Sequence, residues 1–267
     1  YVQGPQKLQS GDPRLPDGVS DYGNDYADQI LAVLEEQGVA ALDLRETLAA
    51  CGRDWSSLFF RTDHHWTPEA GFLACQTIAE TLRRDYGFTI PGKYTDERFF
   101  PRTFYSDYFL GSQGKRVGTL YAGTDRLTLY TPKFETELTY ACPFYAIDRR
   151  GPFQTSVCFP ERVARRDWFG GNPYTYYAGG DYPLATVTNH RNPDGPRIVL
   201  LRDSFACALT PFLALSCSEL VTIDLRYFSG DLLDTVVKLE PDLVLSLMTA
   251  GSTGNAALFP SEAASEE

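Results

Sequence analysis

Three histidines, one methionine and no Cys-x-x-Cys pair in 267 residues narrow the chemistry open to this chain. Structural zinc sites draw on cysteine and histidine sets at short spacing. The six cysteines, Cys51, Cys75, Cys142, Cys158, Cys207 and Cys217, do not have that spacing. No run of about 20 apolar residues occurs, so no transmembrane helix is expected in this stretch. Basic residues are also scarce: 24 Lys and Arg face 35 Asp and Glu, a formal net charge of -11. Nucleic acids and anionic lipid surfaces are held by basic footprints, which the composition does not offer. An uncharged or weakly charged ligand is the expectation.

What is present is globular in texture. Hydrophobic residues make up 43% and charged residues 22%, a balance that argues against disorder. Aromatics reach 13%, a composition that serves sugar stacking or plain packing. Cys75 and Cys207 fall in apolar surroundings and read as small buried hydrophobes. Cys142 and Cys158 flank a segment with Pro and Gly, and in an oxidising compartment they are candidates for a disulfide.

Periodicity and punctuation divide the chain. Residues 1–20 are rich in Gly, Pro, Gln and Asp and read as an N-terminal arm. Residues 21–91 and 196–250 carry α/β texture. A helix is expected over Asp21 to Gln37, ending at Gly38. A short buried strand is expected over Val39 to Leu44, then a helix from Arg45 to Ala50. Thr67-Pro68-Glu69 combines a cap, a first-turn proline and an acid suited to the positive helix end. Phe72, Cys75, Ala79, Leu82 and Tyr86 then share one face up to Gly87.

The last third has continuous apolar runs at Ile198–Leu201, Leu220–Asp224 and Asp242–Leu247. Helical runs separate them at Ser204–Ala214, divided by Pro211, and at Leu232–Leu239. Such alternation implies a parallel sheet covered on both faces. Residues 92–195 read instead as a β-rich insertion, with short runs at Thr119–Tyr121 and Leu127–Tyr130. Residues 251–267 read as a flexible tail.

Two local motifs carry chemistry. Arg61-Thr62-Asp63-His64-His65-Trp66-Thr67-Pro68 places a carboxylate and two imidazoles in a loop just before a helix. An Asp two residues from a His can hold its ring nitrogen and fix the tautomer. Arg202-Asp203-Ser204-Phe205 ends a strand and opens a helix, which puts Ser204 at the carboxyl edge of the sheet, beside helix N–H groups. Each also has a plain reading, as a polar loop with a cap and as a helix N-cap. Together they supply a nucleophile, a base and an orienter. The Gly-x-Ser-x-Gly elbow of α/β-hydrolases is absent.

The stretch from Thr62 to Thr67 resembles the signature of the DHHW protein family, SGNH-hydrolase-like and related to the alginate O-acetyltransferases. Asp203-Ser204-Phe205 resembles that family's serine motif. Asp224-Leu225-Arg226-Tyr227-Phe228, Pro241-Asp242-Leu243-Val244 and Gly111-Ser112-Gln113-Gly114-Lys115-Arg116 resemble further segments in the same order. The resemblance implies an α/β, SGNH-hydrolase-like parallel sheet flanked by helices, with the β-rich insertion. It implies Ser204 as nucleophile, His65 as general base and Asp63 as orienter. Acetyl transfer to, or hydrolysis from, a cell-surface or secreted polysaccharide follows, without a metal or other cofactor. His64, Trp66, Arg226 and Tyr227 are the implied site neighbours, and Asn189 is a weak candidate for the oxyanion donor. Arg226 reads equally as a salt-bridge partner of Asp224 or Asp203. A membrane-bound acetyl donor protein is the implied partner. The implied location is extracytoplasmic, with an upstream signal or anchor absent from this stretch. Two departures stand out: Arg202 replaces the usual glycine before Asp-Ser, and Asp and His precede Ser in the chain, as in a circular permutation.

Two rivals are carried forward. Asp63-His64-His65 also resembles the short metal motif of phosphoesterases, but with His190 alone remaining the ligand supply is poor. A non-catalytic carbohydrate-binding module would use the aromatic segment Trp168 to Tyr177.

Overall fold

The apolar runs of the last third form the middle of the molecule. The computed structural model describes residues 1–8 and 15–255. Its strands are β1 (Val2–Gln3), β2 (Leu42–Asp43), β3 (Arg102–Phe109), β4 (Asp125–Tyr130), β5 (Leu138–Cys142), β6 (Ile147–Gly151), β7 (Leu184–Asn189), β8 (Arg197–Arg202), β9 (Glu219–Asp224) and β10 (Leu243–Met248). Its helices are α1 (Gly23–Glu36), α2 (Leu44–Ala50), α3 (Pro68–Tyr86), α4 (Ser112–Val117), α5 (Thr119–Ala122), α6 (Phe153–Ser156), α7 (Thr210–Ser216), α8 (Leu232–Leu239) and α9 (Ala250–Thr253). Among the described residues, eight strands form one sheet in the order β2-β1-β10-β8-β9-β7-β5-β6.

The sheet is mixed. β2, β1, β10, β8 and β9 run parallel, as continuous apolar strands separated by helices require. β7 then joins β9 antiparallel, β5 joins β7 and β6 joins β5. Thus much of the region 92–195 extends the main sheet, while β3 and β4 form a separate two-stranded ribbon. Both faces are covered. On one, α3 and α7 pack with Phe72, Ile78, Phe212 and Leu213 in the large core. On the other, Val199, Val221, Ile223 and Met248 meet Leu232, Val236 and Leu239 of α8.

The local signals explain where elements begin and end. Thr67 caps α3 through its hydroxyl on the Ala70 amide, Pro68 opens it and Gly87 closes it in the left-handed conformation. Pro211 lacks an amide donor, so the run after Ser204 splits into a 3₁₀ turn, Ser204–Ala208, and α7. All six cysteines are free, Cys142 and Cys158 included.

Five expectations need correction. Val2 and Gln3 of the expected arm lie inside the sheet between β2 and β10, because their amides and carbonyls complete that parallel ladder. The strand expected over Val39–Leu44 shrinks to two residues, since Val39 to Ala41 are exposed and Leu44 already begins α2. Thr119-Leu120-Tyr121 is helical, a single turn bounded by Gly118 and Gly123, both at positive φ. On the face of α3, Tyr86 is exposed while the other four apolar residues are buried. In the expected tail, α9 covers the first residues, and 256–267 lie outside the described residues.

α3 presses on the turn that follows β8. A Cβ on Gly71 would stand 2.8 Å from the Ala208 Cβ and 3.1 Å from its carbonyl. Gly71→Val is therefore expected to cost about 1–3 kcal/mol by overpacking. A thermal midpoint equal to wild type would show that α3 can move away from the turn freely.

Candidate active site

β8 delivers Ser204 to the carboxyl edge of the sheet, where the chain must turn at once. Asp203 makes that turn rigid. Its Oδ1 accepts from the Phe205 amide at 2.9 Å. Its Oδ2 accepts from the Thr249 amide at 2.9 Å, the Thr249 hydroxyl at 3.0 Å and the Ser252 hydroxyl at 2.8 Å. The turn after β8 is thereby fastened to the end of β10 and to α9. Arg202, in place of the usual glycine, is 2% exposed. Its guanidinium donates to Gly180 O at 2.8 Å and Asp181 Oδ1 at 3.1 Å, and lies 3.5 Å from Asp224 Oδ2. The bulk of Arg202 is thus held in a buried charge cluster.

The second half of the site is the loop before α3. Asp125 at the start of β4 takes the amides of Arg61 and Thr62 at 2.9 and 2.8 Å, and the Thr62 hydroxyl at 2.6 Å. Thr62 in turn receives the Gly111 amide on its hydroxyl and the Gly114 amide on its carbonyl, both at 2.8 Å. Lys7 donates to the carbonyls of Arg61 and Asp63 at 2.8 Å each. Trp66, fully buried, donates its indole N–H to Phe205 O at 2.8 Å and so joins the two loops.

Between these loops the three expected residues meet. His65 Nε2 lies 2.8 Å from Ser204 Oγ, and His65 Nδ1 lies 2.5 Å from Asp63 Oδ1. A carboxylate only accepts, so Nδ1 carries the proton and Nε2 presents its lone pair to the Ser204 hydroxyl. Asp63 also accepts the His65 amide at 3.0 Å and, on Oδ2, the Ser112 amide at 2.6 Å. The imidazole stacks on Tyr174 at 4.0 Å between centroids, and the His64 ring lies against it at 3.8 Å, tilted by 37°. Tyr174 donates its hydroxyl to the carbonyls of Ser204 at 2.9 Å and Phe205 at 3.2 Å.

The charges suit this arrangement. Burial alone raises the Asp63 carboxyl, but hydrogen bonds and charge from His65 and the amides of Ser112 and His65 overcome it. The net result is well below the usual carboxylate range. His64 is lowered by burial and by the neighbouring His65. Burial pushes Tyr174 far up, so it stays a neutral donor.

Other expected residues stand elsewhere or act differently. His64 is at the site, with a half-exposed ring 3.4 Å from Ser112 Oγ. Trp66 has no exposed surface, so it holds the loops and cannot touch a substrate. Arg226 pairs with Asp224 at 2.7 Å and Asp181 at 3.2 Å, on the neighbouring strand end. Tyr227 is exposed beneath that guanidinium, and no contact joins either residue to Ser204 or His65. Asn189 is a correction. It ends antiparallel β7 at the level where β8 and β9 begin, the opposite end of the sheet from Ser204. Its amide is spent on Ala214 O and Leu215 O at 3.3 and 3.0 Å. It cannot donate to an oxyanion at Ser204.

His190 also lies at that far end, 2.8 Å from Thr139 Oγ1. Among the described residues Asp63, His64 and His65 form the only cluster able to hold a metal. A metal there would compete with the Asp63–His65 and His65–Ser204 hydrogen bonds and with the Ser112 amide on Asp63. The aromatic segment 168–177 turns inward: Tyr174, Tyr176 and Tyr177 are buried, and Phe169 is exposed. Asp125, Lys7 and Thr249 lacked any sequence signal, and Tyr174 was flagged only within the aromatic segment 168–177, because each reaches the site across the fold.

The comparisons bear on the fold. Residues 3–110 match the family model described as the SGNH hydrolase-like domain of the acetyltransferase AlgX. That span includes Asp63 and His65 and stops short of Ser204. Bacillus cereus PatB1 is similar at 22% identity and TM-score 0.77, covering 96% of this chain and 84% of that one. A structure of PatB1 with a sulfonyl adduct gives 21% identity and TM-score 0.76, covering 97% and 83%. A DHHW family protein from Eubacterium siraeum gives 20% identity and TM-score 0.70, covering 96% and 79%. The fold is SGNH hydrolase-like. No curated protein matches the chain.

Two outcomes follow within this SGNH hydrolase-like site. A Cβ on Gly111 would collide with the Asp63 side chain and the Thr62 carbonyl. Gly111→Ala is expected to displace Asp63 and lower ester hydrolysis by at least about tenfold, on the order of 1.4 kcal/mol in barrier; full activity would mean the loop absorbs the methyl. Asp63, depressed in the folded chain and titrating near about 3.9 when unfolded, stabilises the fold above that pH. That contribution is lost as pH falls through the lower folded value. The gap in thermal midpoint between wild type and Asp63→Asn should be full near neutral pH, begin to narrow only below about pH 4, and still be open at about pH 3. A gap that does not change with pH would contradict the depressed Asp63.

Proposed function

We propose that this chain is a serine-dependent acyltransferase or esterase acting on an acetylated cell-surface or secreted polysaccharide outside the cytoplasm. The observation that carries the reading is the continuous chain Asp63–His65–Ser204, with 2.5 and 2.8 Å contacts. The family model described as an acetyltransferase domain supports the acyl class. Among the described residues no helix is long and apolar enough to cross a membrane.

The chemistry runs in two halves. His65 Nε2 takes the Ser204 proton as Oγ attacks an ester carbonyl. The tetrahedral intermediate collapses, His65 returns the proton to the departing alkoxide, and an acyl-Ser204 ester remains. An acceptor hydroxyl, from sugar or water, then gives its proton to His65 and attacks the acyl carbon, and Ser204 leaves with that proton. Asp63 keeps Nδ1 protonated and stabilises the imidazolium. Ser204 opens its 3₁₀ turn, where amides lack acceptors within the turn, so its own N–H is the candidate oxyanion donor. The carbonyl of the same peptide plane, Asp203 O, accepts from the Arg202 guanidinium at 3.4 Å and the Ala206 amide at 3.3 Å, while Tyr174 and Trp66 hold the Ser204 and Phe205 carbonyls that follow. A membrane-bound acetyl donor protein is the proposed partner upstream of this exchange.

The test combines a small ester with a trapping reagent. Wild type is expected to hydrolyse p-nitrophenyl acetate and to take up one sulfonyl group from phenylmethylsulfonyl fluoride on Ser204, read by intact mass and peptide mapping. Ser204→Ala should do neither. His65→Ala and Asp63→Asn should lose about 10³–10⁴-fold of the hydrolysis rate. Wild type that behaves like buffer in both assays would sink the reading and favour a binding module.

A further inference from the structure

The segment between Gly111 and Arg126 spends its first residues on the site and leaves its middle unused. Gly111, Ser112 and Gly114 donate amides to Thr62 and Asp63. The chain then projects as one helical turn, α5, between Gly118 at φ 79° and Gly123 at φ 64°. On it Leu120 is 103% exposed and Tyr121 86% exposed, and Val117 just before it is 54% exposed. A leucine with no contact surface covered contributes nothing to the fold, and adjacent apolar side chains at such exposure mark an interaction surface.

The same segment is basic in an acidic chain. It carries Lys115, Arg116 and Arg126 against Asp125, which is occupied by the Arg61 and Thr62 amides, and the exposed Asp107 is the neighbouring acid, held by the Thr124 hydroxyl at 3.3 Å. Several exposed arginines elsewhere hold carboxylates, as in Arg84–Asp85, Arg98–Asp96, Arg150–Glu137 and Arg191–Glu135, whereas Arg53, Arg165 and Arg166 do not among the described residues. Around this turn Arg61, Arg116 and Arg126 have no ion pair among the described residues. Arg61 instead donates to Thr124 O at 3.3 Å, which joins the turn directly to the loop of Asp63.

We propose that the α5 turn is a membrane-docking tip: Val117, Leu120 and Tyr121 enter the headgroup boundary of an anionic lipid surface while Arg61, Arg116 and Arg126 take its phosphates. An apolar tip rimmed by cations is the chemistry that holds a protein at such an interface. A glycan surface would need flat ring faces, and of the tip's side chains Tyr121 alone has one. The expectation of no membrane affinity came from the total charge of -11, which hides this local excess of the opposite sign. The inference deepens the proposed acyl transfer and rests on it for its purpose, since docking here turns the Ser204–His65 side of the molecule toward a donor embedded in the membrane.

The experiment is co-sedimentation of the whole chain with vesicles of phosphatidylglycerol and phosphatidylcholine, beside pure phosphatidylcholine. Wild type is expected to sediment with the anionic vesicles only, and to be released as salt rises from about 0.05 to 0.5 M. Leu120→Ser with Tyr121→Ser, and separately Arg116→Gln with Arg126→Gln, should each weaken binding at least about tenfold. Arg116→Lys with Arg126→Lys should retain it. Leu120→Trp should give a blue-shifted emission on vesicle addition. All substitutions are at exposed positions, and circular dichroism checks each fold. No wild-type binding, or binding indifferent to both double variants, overturns the docking tip. So does capture by a soluble polyanion such as polygalacturonate without capture by vesicles. Hydrolysis of p-nitrophenyl acetate by wild type in free solution reads the acyl-transfer proposal independently, so the two failures are distinguishable.

Discussion

One buried hydrogen bond joins the two halves of the site: the Trp66 indole N–H on the Phe205 carbonyl, across 139 residues of sequence. Each half is internally organised without it. Asp203 secures the turn after β8, and Asp125 and Thr62 secure the loop before α3. Only a contact between them sets the 2.8 Å separation of His65 and Ser204. Trp66 is suited to this because its ring fills core volume and its single polar atom must find an acceptor. Tyr174 adds a second brace on the same carbonyl, so the base and nucleophile are held by side chains that do no chemistry themselves.

The charge cluster behind Ser204 shows how the site tolerates a bulky residue at a position where a small one is usual. Arg202 is buried among Asp181, Asp224 and the Gly180 carbonyl, with Arg226 sharing the two acids. A buried guanidinium is costly unless paired and hydrogen-bonded; here its two terminal nitrogens are, and its buried Nε is left without a partner among the described residues. The same acids also hold Arg226 at the strand ends.

Local sequence revealed what local physics decides. Thr67-Pro68 and Gly87 bounded α3, Pro211 divided the turn from α7, and the apolar runs marked β8, β9 and β10. The Asp63, His65 and Ser204 positions were legible through the resemblance to the DHHW signature and its serine motif, since locally each stretch also read as a polar loop or a helix cap. What escaped was decided across the fold. The β1 pair is too short to read and exists only because β2 and β10 leave a slot between them. Asn189 sits on a strand of reversed direction, so its apparent nearness in the sheet places it at the wrong end. The turn at Leu120 has strand-like residues, but flanking glycines at positive φ and open solvent leave it helical. Total charge likewise concealed the local basic rim.

The slot that receives β1 also brings the beginning and end of the described chain together. The Tyr1 hydroxyl lies 2.8 Å from the Thr253 hydroxyl, and Val2 and Gln3 pair with Leu247 and Met248. A short splice between these ends, with a new opening in an exposed loop, would leave every ladder intact and reverse the order in which Asp63, His65 and Ser204 are synthesised. The order of catalytic groups along such a chain is thus a matter of where the ring is cut, and the spatial arrangement is indifferent to it.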